Sequence, residues 1–154
     1  GGEAFHLDRV RKVLEATSTE ILHVGGVGDA SVLKIATNLV SAVSAEVLAE
    51  AAALVKAEGI SPEALLTALK SNANYSLLAG MKLPAMIAGD FEPHFSLRNM
   101  LKDVEFGRAM AGRLKVKMPT LDATAEVMKR GVAEGKGDLD FSVIGEAVAE
   151  KKAS

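Results

Sequence analysis

Residues 29–58 contain neither glycine nor proline, and Leu33, Val40, Val47 and Leu54 recur through them every seven residues. An apolar recurrence of that period over so long a stretch predicts one continuous α-helix. At the usual rise of about 1.5 Å per residue such a helix is roughly 42 Å long, and it must dominate any fold the chain adopts. It also disposes of a tempting alternative. Gly26-Val27-Gly28-Asp29-Ala30-Ser31 falls one residue short of the dinucleotide fingerprint G-x-G-x-x-G, with Ser31 in the third glycine's place. Glu46 and Glu50 even lie near the ~20-residue offset of a ribose-binding carboxylate. That carboxylate belongs at the end of a second strand, after the first helix has closed. The long helix leaves no room for the strand, so the glycines read as a sharp turn into a helix.

Composition narrows the class further. A chain of 154 residues makes one domain or slightly more, and a hydrophobic content of 49% excludes disorder. No uninterrupted apolar run approaches the ~18 residues that span a membrane. Net charge is −2 with the basic residues scattered among acids, which argues against a nucleic-acid surface. The chain has no cysteine, which excludes disulfides and thiolate chemistry and fits a cytoplasmic location. His6, His23 and His94 are far apart, so no metal site is expected. Aromatic residues make up only 4%, and alanine is abundant, favouring close-packed helices over a sheet.

The pattern along the chain predicts a short helix over residues 5–16 and a strand over 21–24. One helix and one strand cannot form a sheet, so residues 1–27 read as the tail of a larger α/β domain. Residues 28–154 then form an all-α domain of about six helices, one of them long. Gly59 reads as the stop of the long helix, and Ser61-Pro62-Glu63 as the cap and first turn of the next. A helix over 76–88 contains Pro84, which should kink or split it. Residues 97–111 are helical, with Leu97, Met100, Leu101 and Val104 inward, and Gly112 opens a turn. Pro119 begins a helix to about Arg130, glycines loosen the loop after it, and Asp140 caps a last helix through Glu150. The alanine-rich run over 45–53 invites close approach by a second chain and predicts a homo-oligomer.

Lys34 and Asn38, four residues apart, fall on one helix face. A cation and a carboxamide together can grip a small oxyanion or carbonyl and deliver a proton. A lone helical lysine is ordinarily a solvated surface group, and an asparagine ordinarily a packing or capping amide. Context raises both above that reading. Gly25-x-x-Gly28-x-(x)4-Lys34-x-x-x-Asn38 resembles, residue for residue, the hinge segment of the β-hydroxyacid dehydrogenases. These include 3-hydroxyisobutyrate dehydrogenase and tartronate semialdehyde reductase, and are distant relatives of 6-phosphogluconate dehydrogenase. Phe95-(x)6-Lys102-Asp103 and the tail Gly137-Asp138-Leu139-Asp140-Phe141-Ser142 resemble two further segments of that family.

The resemblance implies the helical C-terminal domain of an oxidoreductase that moves hydride between a nicotinamide cofactor and a small hydroxy acid or semialdehyde. It implies Lys34 as catalytic acid/base, Asn38, Phe95 and Asp103 at the substrate, and Lys102 at the cofactor. NAD or NADP would be held mainly by an N-terminal Rossmann domain, of which residues 1–27 are the end. The loop over 88–93 and the tail over 137–142 are most similar to the glyoxylate and succinic semialdehyde reductase branch. Two other readings stay open: a non-catalytic oligomerisation scaffold of the same fold, and an imine-reducing relative. Lys34 speaks against both.

Overall fold

The computed structural model describes residues 1–148. Seven α-helices follow one another there: α1 (Ala4–Glu15), α2 (Asp29–Ala57), α3 (Pro62–Lys70), α4 (Leu77–Ala88), α5 (Leu97–Leu114), α6 (Pro119–Gly131) and α7 (Gly145–Val148). A π-helical stretch, Val132–Lys136, continues α6, and a 3-10 turn, Phe141–Ile144, leads into α7. The chain forms two compact units, Gly1–Thr37 and Asn38–Ser154.

In the first unit α1 buries none of its residues and leaves Phe5, Val10 and Val13 exposed. The strand expected over residues 21–24 does not form. An extended segment becomes a strand only by hydrogen bonding along a neighbour, and this segment meets residues 1–16 at single points rather than along a ladder. The Gly2 N–H donates to the Gly25 carbonyl at 2.8 Å, and His23 Nε2 lies 2.6 Å from the Gly2 carbonyl oxygen. The turn into α2 is built on Gly25 (φ 122°) and Gly28 (φ 100°), conformations that disfavour any side chain. Asp29 closes it by accepting the Gly26 N–H at 2.8 Å, which also sets its carboxylate at the positive end of α2.

The predicted long helix forms without interruption, and Glu46 and Glu50 both lie on it. It ends as expected: Gly59 is left-handed (φ 76°), and the Ile60 and Gly59 amides return to the carbonyls of Val55 and Lys56 at 2.9 and 3.0 Å. Its faces, however, are arranged differently from the sequence reading. Ala42, Ala45 and Ala49 are buried within the chain, so part of the alanine run is already covered. The seven-residue stripe instead faces outward, with Val40 68%, Val47 53% and Leu54 66% exposed. By length and composition α2 is the one described helix apolar enough to cross a membrane. Its alanine face is packed into the domain core.

That core is made by α2, α5, α6 and the 3-10 turn. Leu97, Met100, Val104, Leu121, Met128 and Phe141 are its large buried side chains, each worth about 1.5–3 kcal/mol of transfer free energy. Glycines set the approach distances. A Cβ at Gly107 would come within 2.7 Å of the Leu39 side chain, and one at Gly131 within 2.8 Å of Leu97. The small residue at 107 therefore lets α5 lie close against α2.

Three local expectations need correction. Pro84 neither splits nor ends α4, which runs from its Ser76 cap through Ala88. The second is the end of α5, which passes Gly112 and closes at Leu114, where Lys115 takes the left-handed position (φ 58°). Its amide and that of Val116 still return to Gly112 and Ala111 at 3.3 and 2.9 Å, so the cap geometry is satisfied without glycine. Third, Asp140 caps the 3-10 turn by accepting the Ser142 amide at 3.0 Å, ahead of α7. The expected helix end at Glu150 lies outside the described residues.

Candidate active site

The expected site residues divide between the two units. Lys34 belongs to the first; it is exposed, and its carbonyl accepts the Thr37 hydroxyl at 2.9 Å. Asn38, Phe95, Lys102 and Asp103 belong to the second. There the structure joins two segments that lie 65 positions apart in the chain: Asn38 Nδ2 donates to Asp103 Oδ2 at 2.7 Å. The contact depends on the α2–α5 approach, since Leu39 and Gly107 meet beside it.

Asp103 is buried, its side chain only 2% exposed. A carboxylate in that position requires donors, because burial without them costs several kcal/mol. Asn38 supplies one, and Lys102 Nζ lies 3.5 Å from Oδ1. Lys102 is itself 54% exposed, a cation held on one side by a buried anion. An ammonium carries three donors, so it can hold Asp103 and still meet a phosphate oxygen. The donor chemistry suits a phosphate-bearing ligand. Since a carboxylate only accepts, the NH2 end of Asn38 is fixed toward Asp103.

Phe95 is tied to the tail of the same unit. Its ring stands edge-on to Phe141, with centroids 6.5 Å apart and planes at 80°. Its backbone N–H donates to Asp140 Oδ2 at 3.2 Å, and its carbonyl accepts the Phe141 amide at 3.0 Å. Asp140 is held by Lys82, whose Nζ lies 2.9 Å from both carboxylate oxygens; both side chains are buried. Burial alone would raise the Asp140 pKa. The Lys82 ammonium and the donors of Ser142 and Phe95 outweigh it and hold the group below the ordinary carboxylate range.

Sequence reasoning singled out Asp140 as a cap within the tail motif and passed over Lys82. The signal was there: Lys82 is the one charged residue in Leu-Leu-Ala-Gly-Met-Lys-Leu-Pro-Ala-Met-Ile-Ala, and a lysine is fully buried almost only when paired. Among the described residues no cluster of three or more His, Cys, Asp or Glu could hold a metal ion.

Comparison with known proteins follows the same lines. The chain is 30% identical over 126 residues to glyoxylate/succinic semialdehyde reductase 1 of Arabidopsis thaliana, covering 82% of this chain and 44% of that protein. It is 29% identical over 143 residues to the cytokine-like nuclear factor N-PAC of Aedes aegypti, covering 93% of this chain and 26% of the relative. Among solved structures, Mycobacterium tuberculosis 3-hydroxyisobutyrate dehydrogenase with L-serine superposes with a TM-score of 0.89 at 26% identity. That match takes in 97% of this chain and 54% of the other. The chain thus spans between a quarter and about half of the curated relatives it matches. Residues 28–148 match the family described as "NAD-binding of NADP-dependent 3-hydroxyisobutyrate dehydrogenase", and the chain belongs to that family of β-hydroxyacid and semialdehyde dehydrogenases.

Proposed function

We propose that this chain is the helical half of a cytoplasmic NAD(P)-dependent oxidoreductase acting on a small hydroxy acid or semialdehyde, and that Lys34 is its acid/base. The observation that carries the reading is the Asn38–Asp103 hydrogen bond at 2.7 Å. It brings together Asn38 and Asp103, one residue from each of two motifs that were singled out separately in the sequence. Two chemical groups of a site that meet only in the fold are far less expected by chance than either motif alone.

A bound nicotinamide supplies or accepts the hydride. The chain's own residues do the rest. On reduction the substrate carbonyl becomes an alkoxide, and Lys34 Nζ donates the proton to that oxygen. Asn38, one turn further along α2 and fixed by Asp103, holds the substrate's polar end. Lys102 meets the cofactor as a point charge, and Phe95 forms an apolar wall of the cleft. The exposed apolar stripe of α1 suits packing on a sheet, which supports a dinucleotide-binding domain as the chain's other half.

Similarity to a nuclear factor rather than a reductase by name gives a second reading, a non-catalytic scaffold of the same fold. Lys34 favours the first, since a scaffold has no use for an ammonium at the motif position. An activity screen on the full-length protein separates them, with small semialdehydes and cyclic imines each offered NADH and NADPH. Turnover of semialdehydes above imines supports the proposal; turnover of imines alone, or of neither, overturns it.

A further inference from the structure

A lysine and an aspartate buried together are costly to desolvate, and an apolar pair of similar volume often gives equal stability. Lys82 and Asp140 have a more specific arrangement than cohesion requires. Asp140 Oδ2 takes Lys82 Nζ at 2.9 Å, the His94 N–H at 3.1 Å and the Phe95 N–H at 3.2 Å. Oδ1 takes Lys82 Nζ again, together with the amide and hydroxyl of Ser142 at 3.0 and 2.7 Å. The ammonium also lies 4.4 Å from the centre of the Phe141 ring, the ring against which Phe95 stands. One ion pair thus fixes Phe95 twice, at its backbone through Asp140 and at its ring through Phe141. It does so in the loop that leads directly into α5, the helix bearing Lys102 and Asp103.

We propose that Lys82 and Asp140 are positioning residues that set the place of Phe95, and through it the fit of the substrate; this rests on the reading of Phe95 as a wall of the cleft. Neither touches the reacting atoms. Their effect is on which substrates fit and how tightly, because a wall displaced by a fraction of an ångström no longer matches the substrate.

The test uses Asp140→Asn in the full-length enzyme, alone and in a Phe95→Ala background. Asparagine has one acceptor oxygen and cannot serve Lys82, His94, Phe95 and Ser142 together. The expected result is a rise of about tenfold or more in substrate KM, with cofactor KM within about twofold. The rise should vanish when Phe95 is already alanine, as it does for residues acting through one another. A merely cohesive pair would lower thermal stability and active fraction equally in both backgrounds and leave substrate KM alone; that result overturns the proposal. Lys82→Gln, which keeps a donor to Asp140 but removes the charge, serves if Asp140→Asn does not fold. Amide exchange supplies a readout independent of turnover. In either variant the His94 and Phe95 amides should exchange about tenfold faster or more, while those of α5 hold. Unchanged exchange overturns the clamp. A wild type without hydride transfer to any semialdehyde overturns the functional reading instead, whatever the exchange shows.

Discussion

At the scale of single residues, the most exposed to test is Glu46. It sits on the packed side of α2, and its Oε2 is buried and meets no hydrogen-bond donor among the described residues. Burial, helped by the charge of Glu50 and opposed by Arg130, raises its pKa from 4.5 to about 7. The folded protein therefore keeps a proton that the unfolded chain gives up near pH 4.5. Stability from this group is complete at low pH, falls as pH rises through that interval to about 7, and is level beyond. The loss is on the order of 3 kcal/mol. Glu46→Gln should flatten this slope and raise the melting temperature at pH 8 by several degrees, with little change at pH 4.5. Thermal melts across pH decide it, and an unaltered slope in the variant would show that Glu46 is not the titrating group. Glu46 was not legible, because α2 carries five charged residues and its buried face was not known from the sequence; Lys82 was, as the one charge in an otherwise apolar helix. Lys34 and Asn38 were legible because a spacing of four on a helix is a statement about one turn. Their link to Asp103 was not, since no local rule joins positions so distant in the chain.

At the scale of elements, helix positions were readable, and so was the inward face of α5 (Leu97, Met100, Leu101 and Val104); the inward face of α2 was not. Periodicity shows that α2 has apolar sides, but α2 carries two: a flush alanine side and a bulky valine and leucine side. The side that carries Ala42, Ala45 and Ala49 is the one buried in the core, and Gly107 on α5 makes room for the Leu39 side chain beside it. Val40, Val47 and Leu54 are left outside at heptad spacing, a seam that matches a second copy of itself. We propose that the homo-oligomer forms there. Serine at Val40 and Val47 together should shift the chain toward monomer in light scattering while helical content by circular dichroism stays the same. A wild type that is monomeric at high concentration, or a double variant with undiminished mass, would count against this seam. Pro84 and Lys115 make a related point: each breaks a local preference worth about 1–3 kcal/mol, and tertiary packing outweighs it.

At the scale of the molecule, the helical class of residues 28–148 was visible from alanine content, scarce aromatics and the uninterrupted helix. The segment over 21–24 forms no strand among the described residues, because β-propensity describes a willingness to pair and no partner strand lies among them. If most of the dinucleotide's binding energy comes from a glycine turn and helix N-terminus in another domain, the 154-residue chain alone should bind NAD(P)H no more tightly than about millimolar. Micromolar binding by calorimetry would instead place the whole cofactor site in this chain.

The most direct measurement is steady-state kinetics of Lys34→Met in the full-length enzyme. Methionine keeps the length and apolar bulk of the lysine stem, so packing changes little. On the proposed reading the variant lacks only the ammonium that donates the proton. General acid–base catalysis is worth about 10²–10⁴ in rate, and kcat should fall by that factor with cofactor KM within about twofold of wild type. Lys102→Ala should do the reverse, raising cofactor KM more than it lowers kcat. If Lys34→Met keeps more than about a tenth of wild-type kcat, the loss is too small for a missing acid, and Lys34 is not the group that moves the proton.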